Sequence, residues 1–315
     1  MSDEDFYKAQ GRILELYRKG KYPDALESAH QALERFPEMY ARITYWIVCL
    51  YCLTGEYDNA IHLMREALSR NVWWSEERLL QDPDLRPLHE REEFKTILDQ
   101  CKRFKAEAQV SAKPSLTVLT PPSYSLQKQY PLLAVLGFNA SDDSRSWKSA
   151  LSSEILVSLL QSSQPYSSDM CGWNDIERSE RDVTLALARA KDSYSLDGTR
   201  TILAGFSQGA ALAIYLALKK TVPCRGFIGV APSATIAPSH AEEYASFIRQ
   251  SNGRGLKGWL LTGEKDRFLP KVKPLHDQLV QGGLDCRLDV EPGLGHEFPP
   301  DFATKLASAI RFVLS

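Results

Sequence analysis

Ser207 stands in Gly205-Phe206-Ser207-Gln208-Gly209, with the β-rich run Thr201-Ile202-Leu203-Ala204 before it and the small-residue run Ala210-Ala211-Leu212-Ala213 after it. Glycines two before and two after a serine remove side chains that would collide in a sharp strand-to-helix turn, and such a turn holds the hydroxyl strained and exposed. Chance alone supplies this pentapeptide with an expectation on the order of 0.1, so its weight comes from the flanking strand and helix patterns. A hydroxyl is a weak nucleophile until a base takes its proton, which directs attention to the six histidines. His30 and His62 fall on helical patterns, as does His89; His240 opens a predicted helix and His276 sits within one. His296 instead lies in the Gly/Pro-rich loop Glu291-Pro292-Gly293-Leu294-Gly295-His296-Glu297-Phe298-Pro299-Pro300, between a predicted strand and the final helix. A carboxylate between the two in chain order would orient the imidazole and stabilise its cation. The strand and loop Gly258 to Pro270 offers Asp266, the first choice, with Glu264 as the near rival; Asp285 and Asp289 flank or occupy the next strand. Such a set performs nucleophilic attack on a carbonyl carbon.

A scaffold is needed that brings these three loops to one edge. Short apolar runs at 116 to 120, 131 to 136, 155 to 160, 200 to 204, 226 to 231, 258 to 262 and 285 to 290 alternate mostly with amphipathic helical patterns. The alternation predicts an α/β domain with a mainly parallel sheet, where ligands bind outside the carboxyl ends of the strands. Helical periodicity gives way to strand-like runs at Gln109-Val110-Ser111-Ala112-Lys113-Pro114-Ser115, the expected linker between a helical domain at 1–108 and a catalytic domain at 116–315. The stretches Gln161 to Tyr166 and Cys171 to Asp175 follow another strand end. Tyr166 and Trp173 are there candidate apolar walls of an acyl or alcohol pocket, and ordinary loop packing explains them equally well.

The helical region repeats itself. Gly20-Lys21-Tyr22-Pro23-Asp24-Ala25 returns as Gly55-Glu56-Tyr57-Asp58-Asn59-Ala60, and Ala32-Leu33 as Ala67-Leu68, each after 35 residues. Apolar positions within each unit keep helical spacing, so each unit reads as a helix pair, with Gly ending the first helix in a left-handed cap and Ala admitting close packing. This resembles the tetratricopeptide repeat over about residues 5 to 72, one residue longer than its usual period. Leu79, Leu80, Leu85, Leu88, Phe94, Ile97, Leu98 and Cys101 continue the pattern as a degenerate third unit or capping helix. The resemblance implies a surface that gates substrate or binds a protein partner; a purely architectural role is the alternative.

Gly205-Phe206-Ser207-Gln208-Gly209-Ala210, then Thr262-Gly263-Glu264-Lys265-Asp266, then Gly295-His296-Glu297-Phe298-Pro299 resemble the three signature stretches of the carboxylesterase/phospholipase branch of the α/β-hydrolases. That branch includes acyl-protein thioesterase-like and dienelactone hydrolase-like enzymes. The resemblance spans about residues 115 to 315 and implies an α/β-hydrolase fold, no cofactor, no metal, and an acyl-enzyme. It also implies an oxyanion hole from the backbone N–H of Gln208 and, from the end of an early strand, of Phe138. Family members commonly carry His-Gly at that strand end, where this chain has Leu136-Gly137-Phe138-Asn139; an N–H does not depend on the side chain beside it.

Composition narrows the partners. With 38 Lys+Arg against 40 Asp+Glu and a formal net charge of −2, the chain has no polyelectrolyte footprint, so nucleic acid is a poor partner. The most apolar stretch, Ile43 to Leu53, is far shorter than the ~18 to 20 residues of a membrane span. An acidic start, Met1-Ser2-Asp3-Glu4-Asp5, is unlike a leader and makes the cytoplasm the default expectation. The six cysteines are scattered; Cys49 and Cys52 match C-x-x-C inside an apolar helical stretch, where core packing outweighs a metal or redox role. Two functions remain: a serine hydrolase acting on a small-molecule acyl substrate, with carboxylic esters preferred over thioesters and short peptides, or a catalytically idle hydrolase-like domain in a repeat-bearing scaffold.

Overall fold

The structure, a computed structural model, describes residues 3–138, 140–233, 246–248 and 255–315. The chain divides into two units, one of Met1–Ala112 with Pro165–Met170, the other of Lys113–Gln164 with Cys171–Ser315.

In the first unit the duplicated sequence forms two helix pairs, α1 (Asp3–Arg18) with α2 (Tyr22–Arg35), and α3 (Tyr40–Thr54) with α4 (Tyr57–Ser69). Gly20 and Gly55 take φ of 68° and 83°, and the residue after each returns its N–H into the preceding helix, Lys21 to the Leu16 carbonyl at 3.0 Å and Glu56 to the Tyr51 carbonyl at 2.7 Å. Those bonds satisfy carbonyls a helix end otherwise leaves open, and the left-handed φ suits glycine. Ala25 and Ala60 are wholly buried, so the small side chain of each repeat unit sits at a helix–helix seam.

The unit continues through α5 (Glu76–Gln81) and α6 (Glu92–Ser111), packed through Leu79, Leu85, Leu88, Phe94 and Ile97. Cys49 and Cys52 lie in the same core, where burial pushes Cys49 well above the usual thiol range and Cys52 up to about 12. Cys49, Asp82 and Asp84 bring possible ligand atoms within 4.8 Å of one another. The carboxylates there accept from tyrosine hydroxyls, Asp84 from Tyr17 and Asp82 from Tyr45, each at 2.8 Å.

Two features of this unit differ from the expected boundaries. α6 runs to Ser111, so Gln109, Val110 and Ser111 of the stretch read as a 109–115 linker are its last turn and Ser115 already opens the first strand; polarity suggested a loop throughout, but the chain turns extended only at Ala112, two residues before Pro114, whose ring disfavours helical backbone at the residue before it. The unit also holds Pro165–Met170 from far along the chain. Ser75 N–H donates to the Tyr166 carbonyl at 2.9 Å and Ser168 N–H to the Trp73 carbonyl at 3.0 Å, with Trp74 and Ser167 in an antiparallel bridge.

The second unit is built on a seven-stranded sheet of β1 (Ser115–Leu119), β2 (Tyr130–Gly137), β3 (Leu156–Gln161), β6 (Leu196–Phe206), β7 (Gly226–Val230), β8 (Lys257–Gly263) and β9 (Asp285–Glu291). β4 (Pro165–Ser167) and β5 (Met170–Cys171) form a small sheet of their own. The seven strands lie in the order β1-β3-β2-β6-β7-β8-β9, with β1 antiparallel to β3 and the other neighbours parallel. Every residue of β2 is buried: Leu132, Ala134 and Leu136 face one core and Leu133 and Val135 the other, the pattern of a parallel strand covered on both faces. Helices α8 (Ile176–Ser193), α9 (Gln208–Lys219), α10 (Leu269–Gln281) and α11 (Phe302–Leu314) are joined to it, with α7 (Ala140–Trp147) after β2. From β2 the order runs to β3 on one side and β6 on the other, which places the ligand crevice at the carboxyl ends of these strands.

Candidate active site

Ser207 is the single residue between β6 and α9. Its backbone takes φ 52°, ψ −117°, a region a non-glycine residue enters at ~1 to 3 kcal/mol of strain. The neighbours hold it there: Ser207 N–H donates to the Val230 carbonyl at 2.9 Å, and its carbonyl accepts from Ala211 and Ser233 N–H, both at 3.1 Å. The flanking glycines are required by space. A Cβ on Gly205 would stand 2.3 Å from the carbonyl carbon of Gly209, and one on Gly209 would stand 1.9 Å from the Leu136 carbonyl oxygen.

His296 reaches this serine from the loop after β9. Its Nε2 lies 2.9 Å from Ser207 Oγ and its Nδ1 2.9 Å from Asp266 Oδ2. An ionised carboxylate only accepts, so the imidazole proton sits on Nδ1 and Nε2 is left to accept from the serine hydroxyl. The ring is flanked by Phe206 and Phe268, with centroids 5.0 and 5.3 Å away, and Phe298 stacks on Phe206 at 4.7 Å.

Asp266 is 3% exposed and its buried carboxylate is fully engaged. Oδ2 accepts from Thr262 Oγ1 at 3.1 Å as well as from His296, and Oδ1 accepts from Phe268 N–H at 2.9 Å. Glu264, the rival, faces another way: its Oε2 accepts from Gly293 N–H at 2.9 Å. The Asp266 and His296 loops are also stitched through the backbone, Glu264 N–H to the Glu291 carbonyl and Lys265 N–H to the Leu294 carbonyl, both at 2.8 Å. A Cβ on Gly263 would meet the Leu294 carbonyl oxygen at 2.1 Å. Asp266 and His296 are therefore held by two interlocked loops on neighbouring strands.

Three of the other histidines are occupied elsewhere. His30 Nε2 lies 3.0 Å from Tyr51 Oη, His89 Nε2 lies 3.3 Å from the Leu79 carbonyl, and His276 Nε2 lies 3.3 Å from the Cys286 carbonyl. His62 is exposed on α4, and His240 lies outside the described residues.

Gln208 opens α9, where the first backbone N–H groups have no partner within the helix. Phe138 follows β2 and turns its carbonyl to Cys171 N–H at 3.1 Å and Gln161 Nε2 at 3.2 Å; Asn139, the last residue of that stretch, lies outside the described residues. The two proposed pocket residues part company. Tyr166 belongs to the helical unit. Trp173 is fully buried in the hydrolase unit, its Nε1–H donating to the Gly137 carbonyl at 3.0 Å and its backbone N–H to Gln208 Oε1 at 2.9 Å. Thr262 and the carboxamide of Gln208 went unread in the sequence, although each sits inside a signature stretch, four residues before the aspartate and one after the serine.

Comparison with known proteins places these features. Residues 173–314 match the family model described as Phospholipase/Carboxylesterase, and residues 6–109 match one described as A/B hydrolase-like, N-terminal domain. No curated protein matches the chain significantly. Among solved structures, an uncharacterized protein from Bacillus cereus ATCC 10987 is 24% identical with a TM-score of 0.54, covering 98% of each chain. Esterase PE8 is 20% identical with a TM-score of 0.51, over 64% of this chain and 100% of that one. S-formylglutathione hydrolase (FrmB) from Staphylococcus aureus is 12% identical with a TM-score of 0.50, over 64% of this chain and 93% of that one. At these identities the structural likeness speaks for the fold, and no helix among the described residues is long and apolar enough to cross a membrane. With its mainly parallel sheet and helical N-terminal region, the chain has an α/β-hydrolase fold, in which residues 173–314 resemble the phospholipase/carboxylesterase family and residues 6–109 resemble an A/B hydrolase-like N-terminal domain.

Proposed function

We propose that the chain is a serine hydrolase that cleaves carboxylic esters through an acyl-enzyme, with Ser207 as nucleophile, His296 as general base and acid, and Asp266 orienting the imidazole. The observation that carries this is the continuous relay from Ser207 Oγ to His296 to Asp266, with 2.9 Å at both steps. As Ser207 Oγ bonds to the ester carbonyl carbon, its proton passes to His296 Nε2, and the imidazolium is stabilised by the ionised Asp266. Negative charge moves to the carbonyl oxygen, which the N–H groups of Gln208 and Phe138 receive at the positive end of α9. Collapse breaks the carbon–oxygen bond of the alcohol, His296 returns the proton to the leaving oxygen, and an ester on Ser207 remains. Water, deprotonated by the same nitrogen, then releases the acid and restores the serine.

The absent histidine before Gly137 is the feature that favours an idle domain. Against it stands the placement of Leu136, whose backbone abuts Gly209, so the strand end is located by main chain and not by the replaced side chain. All three proposed catalytic residues come from residues 207 to 296, which makes the helix-pair unit an accessory that gates substrate or presents a partner surface. Purified protein with a short-chain chromogenic ester, compared with Ser207→Ala, tests the proposal. Turnover is expected in the native chain and loss of at least about 1,000-fold in the variant; a native chain that neither turns over ester nor is labelled by a fluorophosphonate at Ser207 overturns it. Thioesters run beside esters would settle the leaving group.

A further inference from the structure

An oxyanion hole needs two donors held to within about 0.5 Å of productive geometry, yet here they come from segments 70 residues apart, at Phe138 and Gln208. The segment Cys171 to Asn174 connects them. Trp173 Nε1–H donates to the Gly137 carbonyl at 3.0 Å, and Cys171 N–H to the Phe138 carbonyl at 3.1 Å. Trp173 backbone N–H donates to Gln208 Oε1 at 2.9 Å, and Gln208 Nε2 donates in turn to Asn174 Oδ1.

The first of these bonds has a particular geometry. The Gly137 carbonyl and the Phe138 N–H belong to one peptide unit, which is planar and trans, so the two dipoles point in opposite directions. Fixing the carbonyl on the indole therefore fixes where the Phe138 N–H points. A carbonyl that accepts a hydrogen bond also polarises its own N–H as a donor.

The indole is itself immobilised. It is fully buried, and its segment is tied down at Gly172, whose N–H donates to the Gln164 carbonyl at 2.8 Å and whose carbonyl accepts from Ser162 Oγ. Asp175 N–H donates to Gln164 Oε1 at 2.8 Å, and Gln164 Nε2 donates to Ser179 Oγ at 2.9 Å.

We infer that Trp173 is a positioning residue, whose indole N–H aims the Phe138 N–H at the developing oxyanion and whose backbone N–H, through the Gln208 carboxamide, ties that donor to the second one. The inference rests on the serine-hydrolase reading above. It assigns Trp173 a role as the brace of the oxyanion hole in place of a pocket wall.

The test is Trp173→Phe, which keeps an aromatic ring and deletes the N–H, with Gln208→Ala as the second variant should the first fail to fold. Each is measured for kcat and KM on the chromogenic ester and for affinity toward an arylboronic acid, which presents a tetrahedral anion to the same donors. Expected is a kcat loss of about 10- to 100-fold, part of the ~100- to 1,000-fold lost when an oxyanion donor is removed outright. KM should stay within about twofold, and boronate affinity should fall in proportion to kcat/KM. Unchanged kcat, or a rise in KM with boronate affinity intact, overturns the inference while native turnover leaves the hydrolase reading standing. A native chain without turnover or fluorophosphonate labelling fails the hydrolase reading first, and this inference with it.

Discussion

Gly209 and Leu136 meet backbone to backbone: a Cβ on the glycine would stand 1.9 Å from the leucine carbonyl oxygen. The first turn of α9 thus rests directly on the end of β2, and the two segments proposed to supply the oxyanion donors share one close contact. Gly209→Ala must push them apart, and the obstacle is main chain that cannot rotate away. The expected outcome is a loss of stability of about 1 to 3 kcal/mol together with a fall in kcat, read by denaturant unfolding and ester turnover. A variant as stable and active as the native chain would contradict the packing described.

Ser207 carries strain that its reaction would exploit. Replacing it by glycine removes the hydroxyl and admits the observed φ of 52° without steric penalty, whereas alanine removes the hydroxyl and keeps the strain. Both variants should be inactive, and Ser207→Gly should be more stable than Ser207→Ala by about 1 kcal/mol after the glycine's own entropic cost of ~0.5 to 1 kcal/mol. Paired thermal unfolding curves decide it; equal midpoints would mean the turn is unstrained.

Two carboxylates in one loop have separable effects. Asp266→Asn should lower kcat by on the order of 1,000- to 10,000-fold, because the amide can no longer hold the imidazole with its proton on Nδ1. Glu264→Gln keeps an acceptor for Gly293 N–H and should change kcat by no more than about threefold. The reverse ranking would transfer the orienting role to Glu264.

Burial raises the pKa of all six thiols, with Cys52, Cys224 and Cys286 pushed up to about 12 and Cys49 well above the usual range. Thiolate is the reactive form, and a raised pKa leaves less of it at every pH below that pKa. Native protein at pH 8 should therefore react with iodoacetamide far more slowly than protein unfolded in guanidinium, by about 100-fold or more at each of these four positions. Mass-spectrometric counting of alkylated cysteines over time provides the check, and rapid alkylation of the folded chain would show these sites to be open.

The readable parts of this molecule are those set by neighbours in sequence. Gly205 and Gly209 flank Ser207 closely enough that spacing alone describes the turn, and the 35-residue return of Gly20 and Ala25 as Gly55 and Ala60 describes the helix pairs. The all-buried run of β2 likewise announces a central strand of a mainly parallel sheet. Choosing between Asp266 and Glu264 needs the partner loop, since the structure separates them by which one meets His296 and which meets Gly293. Tyr166 and Trp173 look alike as aromatic residues in one polar stretch, yet hydrogen bonds to Ser75 and Trp73 draw the first segment into the helical unit while the second stays with Gly137 and Gln208. Such long-range pairing leaves no mark on local periodicity.

The short segment Pro165–Met170 means that neither unit is one continuous stretch of chain, which passes between them at residues 112/113, 164/165 and 170/171. A gene truncated after Ala112 would therefore yield helices lacking the strand that Trp73, Trp74 and Ser75 pair with, and a remainder bearing backbone groups stripped of their partners. A protease nick near Pro114, by contrast, leaves those hydrogen bonds in place. The two pieces should then elute together from a sizing column and part only in denaturant.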